Sequence, residues 1–98
     1  MENKLALKVD DLDNVATVFV NDVTDGMILS VRDKKGQTED IKINGAVPYG
    51  HKIAVVDIKK GEPIMKYGES IGEASADIAK GDYVHIHNMD ALRGRGDL

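Results

Sequence analysis

One short pattern recurs three times in the chain: an aspartate, then valine or isoleucine, two variable residues and a glycine. The copies occupy residues 22–26, 57–61 and 77–81, and a valine or isoleucine follows each within three residues. Glycine takes the left-handed backbone conformation without a Cβ penalty, and the aliphatic residue can fill a core. Common turn chemistry would explain one copy, and the unequal spacing excludes a solenoid. Three copies predict one type of turn at three corners of a compact, convoluted β structure.

Between these turns, the apolar residues follow the spacing of short strands. Residues 72–79 are the only segment with much helical propensity, and they are too short to form a stable helix alone. Residues 11–14 resemble a helix cap, but the β-branched residues after them favour a strand. The sequence thus predicts a mostly β fold of short bent strands with at most one or two short helical turns. The predicted strands are 5–9, 15–20, a hairpin of 28–32 and 39–43, 51–58, 64–67 and 83–87.

Length and composition narrow the function classes. With 98 residues, 4% aromatic content, no tryptophan and a net charge of −4, the chain offers neither a stacking platform nor a field for nucleic acid. The absence of cysteine excludes thiolate metal sites and cysteine nucleophiles. No apolar run approaches the roughly 20 residues needed to span a membrane, and the first ten residues lack a secretion signal. We therefore expect one domain over residues 1–90, a flexible tail over 91–98, and a cytoplasmic protein that binds neither nucleic acid nor membrane.

The three histidines are the first candidates for chemistry. His85 and His87 are two residues apart in a predicted strand, so both side chains would project from one face and could converge on a metal. His51 would be a third ligand. The alternative is a pair of exposed polar residues, with Val84 and Ile86 pointing into the core. The residues alone leave both interpretations open.

Two glycine-containing segments are further candidates. In Gly-His-Lys, His51 can act as an acid or base near neutral pH, and Lys52 offers a cation for a carboxylate. The same residues could simply begin a strand. The segment 66–72, KYGESIG, could wrap an anion with backbone N–H groups or could be a plain strand–turn–strand link. Asn88 could orient a histidine, contact a hydroxyl or cap the tail.

Residues 48–88 carry several linked motifs: G-H-K-[IV]-A, D-I-x-x-G, K-Y-G-x-x-I-G, a second D-I-x-x-G and V-H-x-H-N. In this order and spacing they resemble the small SAF-type domain of the altronate/galactarate dehydratase family. The resemblance implies a β-clip fold, in agreement with the strands and glycine corners. It also implies removal of water from a hexonate or hexarate to give a 2-keto-3-deoxy acid, with a divalent metal, iron or manganese.

The resemblance further implies roles for individual residues. His51 and Lys52 are expected to act on the substrate as catalytic residues, His85 and His87 to bind metal, and Tyr67, Gly68 and Asn88 to contact the substrate. Because the chain ends after residue 98, we expect a small subunit that is inactive without a large dehydratase subunit; self-association is left open. The alternatives are the small subunit of a sulfolactate sulfo-lyase and a non-catalytic SAF binding module.

Overall fold

The computed structural model describes residues 5–91, and every regular element in that range is a β-strand. The nine strands of this range are β1 (Leu5–Leu7), β2 (Val15–Val18), β3 (Ile28–Arg32), β4 (Thr38–Lys42), β5 (Lys52–Ala54), β6 (Pro63–Lys66), β7 (Glu69–Ala74), β8 (Tyr83–Val84) and β9 (Met89–Ala91). One sheet has the order β4-β3-β1-β2-β5-β8 and the other has the order β6-β7-β9. All neighbouring strands are antiparallel except β1 and β3, which run parallel. The predicted mostly β fold of short strands is confirmed.

Two clusters of aliphatic side chains form the core. The first lies along the six-stranded sheet and includes Leu29, Ile41 and Ile53, all essentially inaccessible to solvent. The second joins β2, β5 and β8 to the three-stranded sheet and includes Ile64 and Val84. Strands β2 and β5 contribute to both clusters because alternate residues point to opposite sides of a strand. The sheet that carries the histidines is therefore packed on both sides.

The three aspartate-to-glycine patterns form the same turn, as predicted. Each glycine has a φ near +90° and is the third residue of a β-turn, a position that requires positive φ in type II turns. In every copy the glycine N–H donates to the carbonyl of a facing residue, whose own N–H donates back to the residue after the glycine. The facing residues for the glycines of 22–26, 57–61 and 77–81 are Ile43, Ala74 and Ala54, respectively.

The second and third copies also bind each other reciprocally. Asp57 accepts a hydrogen bond from the N–H of Lys80, and Asp77 accepts one from the N–H of Lys60, both at 2.9 Å. Between them, Ile58 and Ile78 exchange backbone hydrogen bonds of 2.8 and 2.7 Å and bury their side chains. The aspartate of the pattern thus ties one corner to the next, which the recurrence alone did not indicate.

The six-stranded sheet curls until the residues after β4 meet the turn before β8. Asn44 donates its backbone N–H to the carbonyl of Gly81, and its side chain donates to Asp82. A Cβ added to Gly81 would lie 2.2 Å from the carbonyl oxygen of Lys42. Only glycine allows this approach, and the closure fixes where β8 begins.

Several predicted boundaries differ from the structure. Residues 72–79 form no helix, because β7 runs to Ala74 and Ala74 faces the turn at Gly61. Residues 51–58 and 83–87 are strands only over β5 and β8. Residues 10–14 form a tight turn in which Asp10 and Asp13 bond each other's backbone, so the helix cap is not formed. No helix in the described range could cross a membrane. Beyond Ala91, which belongs to β9, the predicted tail lies outside the described residues and stays a prediction.

Gly81→Ala should destabilise the domain more than Gly61→Ala. Both changes force alanine into positive φ, at about 1–2 kcal/mol, but a Cβ at Gly61 would meet open space. At Gly81 it must also displace the Lys42 carbonyl. Urea unfolding of the two variants measures the difference, and equal losses would contradict the role given to this contact.

Candidate functional site

The side chains of His51, Tyr83, His85 and His87 form one cluster, which we call the histidine cluster. His51 immediately precedes β5, and Tyr83 begins β8 opposite Ile53 of β5. Because residues two apart share one side of a strand, His51 and Tyr83 lie together. The ring centroids of His51 and His85 are 4.9 Å apart. The Tyr83 ring stacks on His85 at 5.6 Å and lies 5.3 Å from His87.

A hydrogen bond holds the first imidazole of the histidine cluster. The Tyr83 hydroxyl lies 2.7 Å from Nδ1 of His51, and no other hydrogen bond of that hydroxyl occurs within residues 5–91. The backbone of His51 is fixed as well, since its N–H donates to Pro48 and its carbonyl accepts from Val18. Both ring and backbone of His51 are therefore positioned by the fold.

His85 and His87 come together by a different route from the one predicted. The strand ends at Val84, and residues 85–88 form a turn closed by a hydrogen bond from the Asn88 N–H to the His85 carbonyl. The predicted strand through residue 87 is therefore wrong. Ile86, which the alternative interpretation placed in the core, is 74% exposed. The imidazoles gather because the turn wraps His85 and His87 around Tyr83.

Asn88 stabilises this turn with its buried side chain. Its amide oxygen accepts from the N–H of His85, and its amide nitrogen donates to the carbonyl of Tyr83. One side chain thus fixes the backbone at both ends of the segment that carries the cluster. The predicted contact of Asn88 with substrate stays a prediction.

Lys52 brings a half-buried positive charge beside the cluster. Burial lowers the pKa of its ammonium group, and repulsion from Lys66 lowers it further. The ion pairs found among the described residues join Lys35 to Asp11 and Lys80 to Glu39, so neither Lys52 nor Lys66 has a carboxylate partner there. A desolvated cation without an internal counterion favours binding of an external anion.

The pKa of His85 is lowered chiefly by burial, and then by the positive charges of His51, Lys52 and His87. Each of these groups, when protonated, repels a proton on His85. His85 is thus held in the neutral form over a wider pH range than an isolated histidine.

The described residues do not form a metal site by themselves. In the range 5–91 no three histidine, aspartate or glutamate side chains are arranged to hold one ion. A divalent metal generally needs more than two protein ligands. His85 and His87 could thus supply only part of a coordination shell, and their predicted role as ligands stays a prediction.

Tyr67 and Gly68 form the tip of the β6–β7 hairpin. Both have positive φ, 57° and 75°, as a two-residue hairpin turn of type I′ requires. The N–H of Gly68 donates to Asp13, so it is not free to bind an anion. This agrees with the plain strand–turn–strand interpretation of residues 66–72. Among the described aromatic contacts none joins Tyr67 to the histidine cluster, and its substrate contact stays a prediction.

An open cleft of 460 Å³ borders the cluster. It is lined by residues 44–46, Ala76, Asp77, Asp82, Tyr83, His87 and Asn88. The volume lies within the range of small-molecule sites. Both aspartates already accept backbone hydrogen bonds in the corner turns.

Sequence reasoning missed two residues of this site, Tyr83 and Lys66. Tyr83 is two residues before His85, so the alternation used for the histidines could have included it. Lys66 gave no comparable signal, because its proximity to Lys52 depends on how the two sheets pack.

Residues 5–91 thus form an all-β domain with a histidine cluster next to a lysine that has no carboxylate partner in that range. Comparison with known proteins identifies the family of this domain. The sequence-family model for the altronate/galactarate dehydratase SAF domain matches residues 4–92 of this chain. The chain belongs to this family, as the motifs of residues 48–88 predicted.

Three relatives contain a segment similar to this chain, and they differ in how much of their length it occupies. The altronate dehydratase of Escherichia coli is 43% identical over 82 residues, which are 84% of this chain and 15% of that protein. The galactarate dehydratase (L-threo-forming) of the same organism is 37% identical over 80% of this chain and 14% of that protein. The (2R)-sulfolactate sulfo-lyase subunit alpha of Chromohalobacter salexigens is 35% identical over 83% of this chain and 87% of that subunit. The chain thus spans about a seventh of the dehydratases but most of the sulfo-lyase subunit.

The lowered pKa of His85 predicts that it titrates below the ordinary value of 6.5. As the pH falls below 6.5 the unfolded chain takes up this proton before the folded chain does, so stability should fall until the pH passes the folded pKa. Lys52→Met should raise the His85 pKa, because one repelling charge is removed.

NMR titration of the full chain measures the midpoint, with Lys34→Met as the control. Lys34 is an exposed lysine in the β3–β4 turn. A His85 midpoint at or above 6.5 would contradict the burial and charge assigned to this residue.

Proposed function

We propose that this chain is the SAF component of a lyase that removes water from a sugar acid, a hexonate or hexarate, to give a 2-keto-3-deoxy acid. The observation that carries the proposal is the position of the histidine cluster beside Lys52, whose positive charge has no carboxylate partner among residues 5–91. The relatives of this chain include dehydratases named for altronate and galactarate. Both substrates are carboxylates, which the uncompensated charge would attract.

Elimination next to a carboxylate places three demands on an enzyme. A base takes the α proton, a positive group stabilises the enolate-like charge, and the leaving group needs a proton or a Lewis acid. Lys52 can stabilise the enolate-like charge because its ammonium group is partly desolvated, which strengthens its attraction for an oxyanion. His51 and Lys52 both lie near enough to His85 for their charges to lower its pKa, and we propose that both contact the substrate carboxylate.

We propose that a large dehydratase chain completes the site. Residues 5–91 bring together imidazoles and a lysine but no group of three metal-binding side chains. In the dehydratase relatives, the matched segment is only a small part of the protein. We further propose that the pair acts in the cytoplasm and that the isolated chain is inactive.

A sulfolactate sulfo-lyase is the second candidate. It is favoured by one observation: the match covers 87% of the sulfo-lyase subunit alpha. That reaction also eliminates a group next to a carboxylate, so Lys52 would have the same role. The two candidates differ in the product released, water or sulfite.

Mixing the chain with the large lyase chain encoded in its own organism tests the proposal. Altronate, galactarate and sulfolactate are offered in parallel, and keto-acid formation and sulfite release are recorded. We expect turnover only in the mixture, with sugar acids as substrates. Sulfite release alone would select the second candidate, and no turnover of any of the three would contradict both.

In that complex, Lys52→Met should lower kcat/KM for the acid substrate roughly 10- to 100-fold, because a hydrogen bond to a charged group contributes about 1.5–3 kcal/mol. His51→Ala should lower kcat. The control is Lys34→Met, which leaves the site untouched. Unchanged turnover in His51→Ala, His85→Ala and His87→Ala would instead indicate a non-catalytic SAF binding module.

We propose that any iron or manganese of the complete enzyme takes at most His85 and His87 from this chain. Metal analysis after dialysis should find about one ion per complex and almost none on the isolated chain. His85→Ala together with His87→Ala should reduce the metal retained by the complex. Stoichiometric metal on the isolated chain would contradict this division of ligands.

A further inference from the structure

We propose that Tyr83 fixes the tautomer of His51, so that His51 presents an N–H donor to the substrate and does not act as the base. The direction of the hydrogen bond between the Tyr83 hydroxyl and Nδ1 of His51 decides which ring nitrogen carries the hydrogen. Its length of 2.7 Å is typical of a hydroxyl donor and is shorter than most N–H···O bonds. On this length the hydroxyl donates its single hydrogen to Nδ1, which is its one hydrogen-bond partner within residues 5–91.

The tautomer of His51 then follows from the chemistry of the imidazole ring. In neutral histidine one ring nitrogen carries hydrogen and the other accepts. With Nδ1 accepting from Tyr83, the hydrogen must be on Nε2. The neutral His51 ring therefore offers a donor on its free side and has no lone pair available to remove a proton.

Contacts with the rest of the fold hold both Tyr83 and His51 in place. The carbonyl of Tyr83 is held by the Asn88 amide, its β8 position is fixed by pairing with Ile53, and its ring is stacked on His85. The backbone of His51 is bonded to Pro48 within its own turn and to Val18 of β2. Neither ring can turn away from the other without breaking these contacts, so the hydrogen bond is kept and Tyr83 is a positioning residue for His51.

The role of His51 rests on the proposed function. In an elimination next to a carboxylate, negative charge develops on the carboxylate oxygens as the α proton leaves. An Nε2–H donor placed there stabilises that charge as one element of an oxyanion site, together with the Lys52 ammonium. No proton is transferred from His51, and the base that removes the α proton belongs to another residue.

Nitrogen-15 NMR of the full chain tests the tautomer without any activity. At about pH 8.5, above the ordinary range of histidine pKa values, His51 should show an unprotonated Nδ1 and a protonated Nε2. Tyr83→Phe should move both signals toward the average of the two tautomers. Tyr49→Phe, which removes an exposed hydroxyl, should leave them unchanged. A wild-type His51 protonated on Nδ1 would overturn the inference, as would signals that do not change in Tyr83→Phe.

Kinetics of the reconstituted enzyme tests the role. Tyr83→Phe should lower kcat roughly 10-fold with little change in KM, because orientation matters most for a contact made in the transition state. His51→Gln keeps an amide N–H donor but cannot serve as a base, so it should retain at least about 10-fold more kcat than His51→Ala. Equal kcat in these two variants would overturn the donor role. The NMR result stands whether or not the proposed reaction is found, so the two failures are distinguishable.

Discussion

The turn at Gly81 sets the position of the histidine cluster. Its glycine accepts a hydrogen bond from Asn44, donates one to Ala54 and lies so close to Lys42 that no side chain fits. These contacts close the curled sheet and begin β8 two residues later. Tyr83 therefore lies beside β5, next to His51, and residues 85–88 turn back over it. Without this closure the three histidines would have no common centre.

The sequence indicated the components of the site more accurately than their arrangement. The glycine corners and the all-β fold were predictable, because positive φ and β-branched alternation are local properties. Strand alternation through residue 87 allowed His85 and His87 to gather with His51 as one of two interpretations, but the strand ends at Val84. What replaces it is a turn held by the Asn88 side chain, and the choice between turn and strand is made by contacts of Asn88 that alternation cannot reveal.

The helical propensity of residues 72–79 was misleading for a related physical reason. Ala74 and Ile78 are buried against the corner turns at Gly61 and Ile58, and those partners come from elsewhere in the chain. Tertiary hydrogen bonds there outweigh the local preference. The proximity of Lys66 to Lys52 likewise exists only once the two sheets pack. It gives the site its unbalanced positive charge, although the whole chain carries a net charge of −4.

The central proposal is that the histidine cluster and Lys52 form one wall of a carboxylate-binding site that a second chain completes. A crystal structure of the complex with an unreactive sugar-acid analogue tests it most directly. We expect a ligand carboxylate within about 3 Å of the Lys52 ammonium or of Nε2 of His51. A ligand enclosed entirely by the large chain, with the histidine cluster facing solvent, would contradict it.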